Sequence, residues 1–278
     1  SIASYNVENY IKRALDSCCI PEIMDRLEVI VVNDGSTDHT LEIAKVVQDC
    51  GVTALAHLTC IASSREKIGA ELAALKSACV ENVLALRGDR PVGSGDVAGD
   101  YAHASDLVAE IRCAGGFSIG GACYPECHPE CGHIEDDIRN IKLKVDAGLD
   151  FLTTQMFFDN NLLYNFLYKI REAGITVPII PGIMPITNAN QVDRAIKLSG
   201  SFMPQRFKSL VDKFGHSPAA MKQAGIAYAT DQIIDLFANG ITCTLNQVDS
   251  DNGMQQAKQY GIKSFEDGAL IAAAIRPS

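Results

Sequence analysis

The chain has 278 residues, and its 24 basic and 34 acidic side chains leave a net charge of −10. At 47% hydrophobic residues it can bury its own core, which excludes a disordered protein and removes the need for disulfide staples. No apolar run reaches the ~18 residues of a membrane-spanning helix, and the acidic balance argues against a nucleic-acid backbone as partner, while a small anionic cofactor needs only backbone N–H groups and one or two cations.

In chain order, Ser1–Tyr5 reads as a strand running into a loop. This abrupt start, with no signal peptide before it, is expected of a truncated or engineered N-terminus. Val7–Cys18 reads as a helix, Glu28–Val32 as a buried strand, and Thr40–Val47 as a helix with Asp38 as N-cap. Thr53–Thr59 is the next strand, followed by a helix over Ser64–Ser77 capped by Ser63 or Ser64. The strand Asn82–Leu86 ends in Arg87-Gly88-Asp89 and a loop with Pro91, Gly93, Gly95 and Gly99. Helices are expected over Ala104–Cys113, Ile134–Ala147, Asn160–Ala173 (ended by Gly174), Ala189–Leu198 and Ser217–Asn239, with Pro218 at the first helical position. The strands among them are Ser118–Ala122, Phe151–Thr154, Pro178–Pro181 and Ile241–Leu245, and the tail Gly253–Ile275 reads as a broken helix.

Strands separated by helices require crossover connections and a parallel sheet. Eight such units in ~250 residues match a single-domain (β/α)8 TIM barrel over residues 1–278. An open doubly wound sheet, or two small domains, fits the same alternation. The ten cysteines sit mostly in apolar segments, and free buried thiols in a reducing, cytoplasmic compartment are the expectation.

In a barrel, chemistry gathers where strands end. Those positions carry Asn33-Asp34-Gly35-Ser36, then His57, Thr59 and Cys60, then Arg87, Gly88 and Asp89, then Tyr124 to Glu130, then Gln155, then Asn246 and Gln247. Each has a plainer reading. His57 can be a hydrogen-bonded core histidine, Arg87 and Asp89 a structural ion pair, Asp34-Gly35-Ser36 a turn with a helix cap, and Gln155 a loop cap. Thiols and imidazoles in Cys123-x3-Cys127-x3-Cys131-Gly-His133 suggest zinc, but the spacing and two prolines argue against it, and no metal is expected. Glu126 and Glu130 can do acid–base work, although a solvated face is the commoner fate of such residues.

Seven motifs come in one order: His57-Leu-Thr-Cys60, Ala85-Leu-Arg-Gly-Asp89, Ala104-Ser-Asp-Leu107, Tyr124-Pro-Glu-x-His-Pro-Glu130, Lys142-x-Lys-Val-Asp-Ala-Gly148, Thr154-Gln-x-Phe-Phe-Asp159 and Ile180-Pro-Gly-Ile-x-Pro185. Over about residues 39 to 247 the chain resembles the catalytic barrel of the methylenetetrahydrofolate reductase family. That resemblance implies an oxidoreductase in which FAD takes hydride from NAD(P)H and passes it to 5,10-methylenetetrahydrofolate. By motif, His57, Thr59, Leu86, Arg87, Gly88 and Asp89 contact the flavin and its ribityl chain. His103, Ala104, Ala122, Tyr124 and His128 also face FAD, and Asp137 and Lys144 hold its ribose and phosphate end. Asp89 additionally faces the pterin and Gln155 binds the folate. A homo-oligomer is compatible with this reading, with no nucleic acid and no membrane involved.

The first strand, Ser1–Glu8, lacks the family's Phe-Glu-x-Phe-Pro-Pro motif, whose Glu is the general acid of the folate step, so that step is expected to be impaired. Residues 1–38, with Val29-Ile-Val-Val-Asn-Asp-Gly-Ser-Thr-Asp38, are similar to the nucleotide-sugar end of family-two glycosyltransferases. Two alternatives follow: a chimera in which a borrowed β-α-β piece replaces the first barrel units, inactive as an enzyme, or a nucleotide-sugar transferase that uses Asp34. Residues 248–278 match the reductase family poorly.

Overall fold

The computed structural model describes residues 2–4, 31–34, 54–88, 99–241 and 259. Strands β1 (Ile2–Ser4), β2 (Val31–Asp34) and β3 (Ala54–Thr59) precede α1 (Arg65–Ser77), β4 (Asn82–Leu86) and α2 (Ala104–Ala114). Then come β5 (Ser118–Cys123), α3 (Ile134–Asp146), β6 (Phe151–Thr154), α4 (Asn160–Glu172) and β7 (Ile179–Ile180). Three helices close the described part: α5 (Asn190–Ser199), α6 (Gln205–Phe214) and α7 (Pro218–Ala238). No described helix is long and apolar enough to cross a membrane. The chain forms two compact units, Ser1–Ala122 with Asn140–Leu152, and Cys123–Arg139 with Thr153–Ser278.

In the first unit β1 to β5 pair in chain order, each pair parallel. Parallel strands covered on both faces read as continuous apolar runs rather than alternating ones. Ala54-Leu55-Ala56 and Val83-Leu84-Ala85 are accordingly buried throughout. Helix α1 buries Ile68, Leu72 and Leu75, and α2 buries Leu107, Val108 and Ile111, the spacing of one helical face. Ser64 caps α1 by accepting the Lys67 N–H at 3.2 Å, and Asp106 secures the start of α2 by accepting the N–H groups of Ala102 and His103 at 3.0 and 2.9 Å. Asp150 N–H donates to the Ile119 carbonyl at 2.8 Å, tying the entry of β6 to β5.

In the second unit Phe158, Ile186, Ala195, Met203, Phe207, Met221 and Tyr228 form the core. The Phe207 ring lies 5.2 Å from Phe158 and 4.8 Å from Tyr228, the latter edge-on. Such pairs contribute about 0.5–1.5 kcal/mol beyond the area they bury. A polar network fastens α7 to α4. Asn160 Nδ2 donates to the Gln232 carbonyl at 3.0 Å and to Asp235 Oδ2 at 2.7 Å, and the Tyr164 hydroxyl donates to the same oxygen at 2.7 Å.

Several expectations need correction. β2 runs on to Asp34, so Asn33 and Asp34 belong to the strand and not to the loop after it. β7 is only Ile179–Ile180, because Pro178 and Pro181 have no N–H for a ladder. α6 is a further helix beyond those expected, and Phe207, Leu210, Val211 and Phe214 carry the i, i+3, i+4, i+7 pattern that predicts it. Cys60 and Cys123 are buried free thiols as expected, but Cys79 and Cys113 are exposed. The expected helices Val7–Cys18 and Thr40–Val47, the last strand beyond Ile241 and, residue 259 apart, the tail lie outside the described residues.

Candidate functional site

Parallel register decides which strand-end residues share a face. His57 pairs with Leu84 and Thr59 with Leu86, while Leu84 pairs with Gly120. Alternation along each strand then puts His57, Thr59, Leu84 and Leu86 on one face, joined by Ala122, two residues beyond Gly120. His57 and Thr59 are half-buried, whereas Ala56 and Leu58 on the opposite face are buried. Pairing continues past the strands: Cys60 N–H donates to the Leu86 carbonyl at 3.2 Å and Ile61 N–H to the Arg87 carbonyl at 2.8 Å.

Gly88 follows with φ +89°, a conformation that side-chain-bearing residues rarely adopt. A Cβ there would meet Ile61 Cγ2 at 2.8 Å and Thr59 Cβ at 3.3 Å. The fully buried Cys60 thiol makes weak contacts of 3.9 Å with the carbonyls of Arg87 and His103, placing the start of α2 beside the end of β3. Burial pushes that thiol's pKa up, which argues against a reactive thiolate. At the end of β5 the Lys144 ammonium donates to the Ala122 carbonyl at 2.6 Å. Thus the first unit brings His57, Thr59, Leu86, Arg87 and Gly88 together, sets His103 and Ala104 at the head of α2, and pairs Ala122 with Lys144. His103 is exposed. Asp89 lies outside the described residues.

In the second unit the turn after β5 carries Tyr124 and His128, whose rings meet edge-on with centroids 4.6 Å apart. His128 Nδ1 accepts the Glu130 N–H at 3.1 Å, so the proton of a neutral ring sits on Nε2 and makes that atom a donor. The buried Asp137 carboxylate accepts the His128 N–H at 2.9 Å. It therefore supports this turn, a task the sequence did not suggest for it. Cys127 has φ +94°, and its thiol contacts the carbonyls of His128 and Cys131 at 3.6 and 3.7 Å. Among the described residues no group of three His, Cys, Asp or Glu side chains is arranged to hold a metal ion.

Gln155 sits just past β6. Its N–H donates to the Cys123 carbonyl at 2.8 Å, and its side-chain oxygen accepts the Met156 N–H at 2.8 Å. This pins the carboxamide oxygen and leaves the NH2 group as its hydrogen-bonding end.

Glu126 corrects the expectation of a solvated face, which holds only for the exposed Glu130. Its Oε2 accepts the Phe202 N–H at 2.6 Å, and its Oε1 is shut away from solvent. Burial raises its pKa, the Phe202 N–H works against that, and the negative charge of Asp159 adds to it. Its position in Tyr124-Pro-Glu126, on a turn stiffened by proline, was the available signal.

The donor set of the first unit fits a flavin dinucleotide. Thr59 ends β3, Arg87 follows β4 and Lys144 reaches the end of β5, so each brings a donor to a strand end, and the head of α2 lies beside the end of β3, where negative phosphates are favoured even in an acidic chain.

Parallel strands alternating with helices, with polar groups gathered at the strand ends, define a protein of the (β/α)8 class. Residues 25–263 match the model of the methylenetetrahydrofolate reductase family, and the chain belongs to that family. It is 39% identical over 224 residues to methylenetetrahydrofolate reductase (NADH) 1 of Zea mays, covering 74% of this chain and 38% of the maize protein. To 5,10-methylenetetrahydrofolate reductase of Escherichia coli K12 it is 34% identical over 210 residues, covering 75% of this chain and 70% of that protein. The chain thus spans well under half the length of the maize relative. An uncharacterized protein from Clostridium thermocellum that binds two copies of 5-methyl-5,6,7,8-tetrahydrofolic acid shares the fold, with a TM-score of 0.54 and 15% identity over 94% of this chain and 95% of that one. The family match corrects two boundaries. It takes in residues 25–38, assigned above to the glycosyltransferase-like segment, and it reaches beyond residue 247 to 263.

Proposed function

We propose that this chain is an FAD-dependent reductase that takes hydride from NAD(P)H and delivers it to 5,10-methylenetetrahydrofolate, working in the cytoplasm as a single (β/α)8 barrel. The observation that carries the reading is the shared strand-end face of His57, Thr59 and Leu86, with Lys144 held at the end of β5. The reductase relatives and the folate-binding structural neighbour support it. Bound there, FAD supplies a hydride carrier between the two substrates.

The chain's own residues divide the remaining work. Gly88 keeps the end of β4 free of a side chain, so that a ligand can approach the backbone. Arg87 and Lys144 offset phosphate charge, Thr59 and His57 hydrogen-bond the ribityl chain and ring, and His103 and Ala104 place the head of α2 toward the cofactor. Family resemblance adds Tyr124, His128 and Asp137 for FAD, Asp89 for the donor edge of the pterin, and Gln155, through its NH2 group, for a folate acceptor. Residues 1–24 fall outside the family match, and Ser1–Glu8 carry no Phe-Glu-x-Phe-Pro-Pro motif. Without the family's acid there, the folate step is slow.

The experiment is reconstitution. Purified protein is expected to take up FAD, turn yellow, and lose the flavin absorption band when NADH or NADPH is added without oxygen. Reoxidation by the methylene folate is expected to lag well behind that reduction. A protein that stays colourless with excess FAD defeats the proposal, and fast folate turnover defeats the claim of impairment.

A further inference from the structure

The second unit contains a contact that the family reading does not use. Glu126 lies between Tyr124 and His128 in the turn after β5, and its carboxylate reaches 76 residues along the chain to accept the Phe202 N–H at 2.6 Å. The receiving segment is itself held. Ser201 Oγ donates to the Met156 carbonyl at 2.7 Å, Ser201 N–H donates to Ser199 Oγ at 3.1 Å, and the neighbouring Met203 is buried in the core. Pro129, from the same turn, packs against Gly200, where an added Cβ would stand 3.4 Å from the proline ring. The Phe202 side chain is 56% exposed, so this residue is joined to the protein through its backbone rather than its ring. The other end of the turn is fixed separately, by Asp137 on the His128 N–H. His128 therefore hangs between two carboxylates that each hold a backbone N–H, one from α3 and one from the turn itself.

We propose that Glu126 is a positioning residue for the flavin site, a clasp that fastens the Tyr124–His128 pair to the Ser199–Pro204 segment and so fixes where the His128 Nε2–H is presented. The proposal deepens the flavin reading and rests on it. A carboxylate suits the task because a charge-assisted bond is short and directional. The donor is a main-chain N–H, so the contact does not depend on the side chain at position 202.

Four variants test it, read in two ways: hydrogen exchange across residues 124–131 in the cofactor-free protein, and the affinity and visible spectrum of bound FAD. Glu126→Ala removes the acceptor and Phe202→Pro removes the donor. Both are expected to speed exchange in the turn at least tenfold, to weaken FAD binding about fivefold or more, and to shift the flavin band. Glu126→Gln keeps an acceptor oxygen and Phe202→Ala keeps the N–H, and both are expected to stay within about threefold of the parent. Exchange in Glu126→Ala equal to the parent overturns the clasp, as does Phe202→Ala behaving like Phe202→Pro. If Phe202→Pro does not fold, the contrast between Glu126→Ala and Glu126→Gln decides. Should the parent itself take up no FAD, the flavin reading fails, while the exchange measurements still judge the clasp.

Discussion

Lys144 on α3 donates from Nζ to the carbonyl oxygen of Ala122, 2.6 Å away at the end of β5. This one bond carries a helix-borne cation to the strand-end rim and holds its half-buried stem in place. Lys144→Met keeps the aliphatic stem and removes the charge. Loss of one charge-assisted partner is expected to weaken FAD binding about tenfold, or ~1.4 kcal/mol, and to flatten the salt dependence of binding. Flavin titration at two ionic strengths checks both.

Gly88→Ala confronts two obstacles at once, a φ of +89° and a contact of 2.8 Å with Ile61 Cγ2. Strain of this kind costs about 1–3 kcal/mol. The variant is expected to lower the midpoint of chemical denaturation and to weaken FAD uptake. Ala at exposed Gly69, with nothing within 4 Å of its Cβ, is expected to stabilise α1 by up to ~1 kcal/mol.

Gly225→Ala tests the seat of α7. Helix propensity alone favours Ala by ~1 kcal/mol, yet a Cβ at Gly225 would collide with the Ile186 carbonyl oxygen. Backbone cannot yield as a side-chain tip can, so overpacking of about 1–3 kcal/mol is expected to win. The sign of the change in thermal midpoint decides.

Tyr164 gives the protein an alkaline limb. Burial, then its hydrogen bond to Asp235 and the charge of that residue, raise the phenol pKa well above its ordinary value. A raised folded-state pKa means that the folded chain holds the proton more tightly than the unfolded chain. The resulting stability is complete below the ordinary tyrosine value of about 10 and is lost as pH rises from there toward the folded-state value. Tyr164→Phe is expected to cost about 1 kcal/mol at neutral pH and to be less sensitive to pH above about 10. Denaturation curves from pH 8 to about 11 read both effects.

The strands and helices between residues 54 and 172 were legible because their signals are local. A capping serine at 64, a glycine at 174 and unbroken apolar runs at β3 and β4 depend on near neighbours alone. α6 carries the apolar spacing of a helix, but Pro204 and the polar residues around it mask its start. In β7 the reverse holds: the run Pro178–Pro181 has the look of a strand, but only Ile179–Ile180 between the two prolines form one.

By itself the sequence determined the parallel α/β alternation and, through seven ordered motifs, the reductase family. Only the tertiary structure decided what the individual polar side chains do. It set the Asp137 carboxylate on the His128 backbone N–H, fixed the Gln155 carboxamide by its oxygen, and made Glu126 a half-buried acceptor of the Phe202 N–H instead of a solvated acid. A carboxylate's partner is chosen by which N–H folding brings within 3 Å, and the Phe202 N–H stands 76 residues from Glu126 along the chain. No local pattern encodes a contact between groups that far apart in sequence.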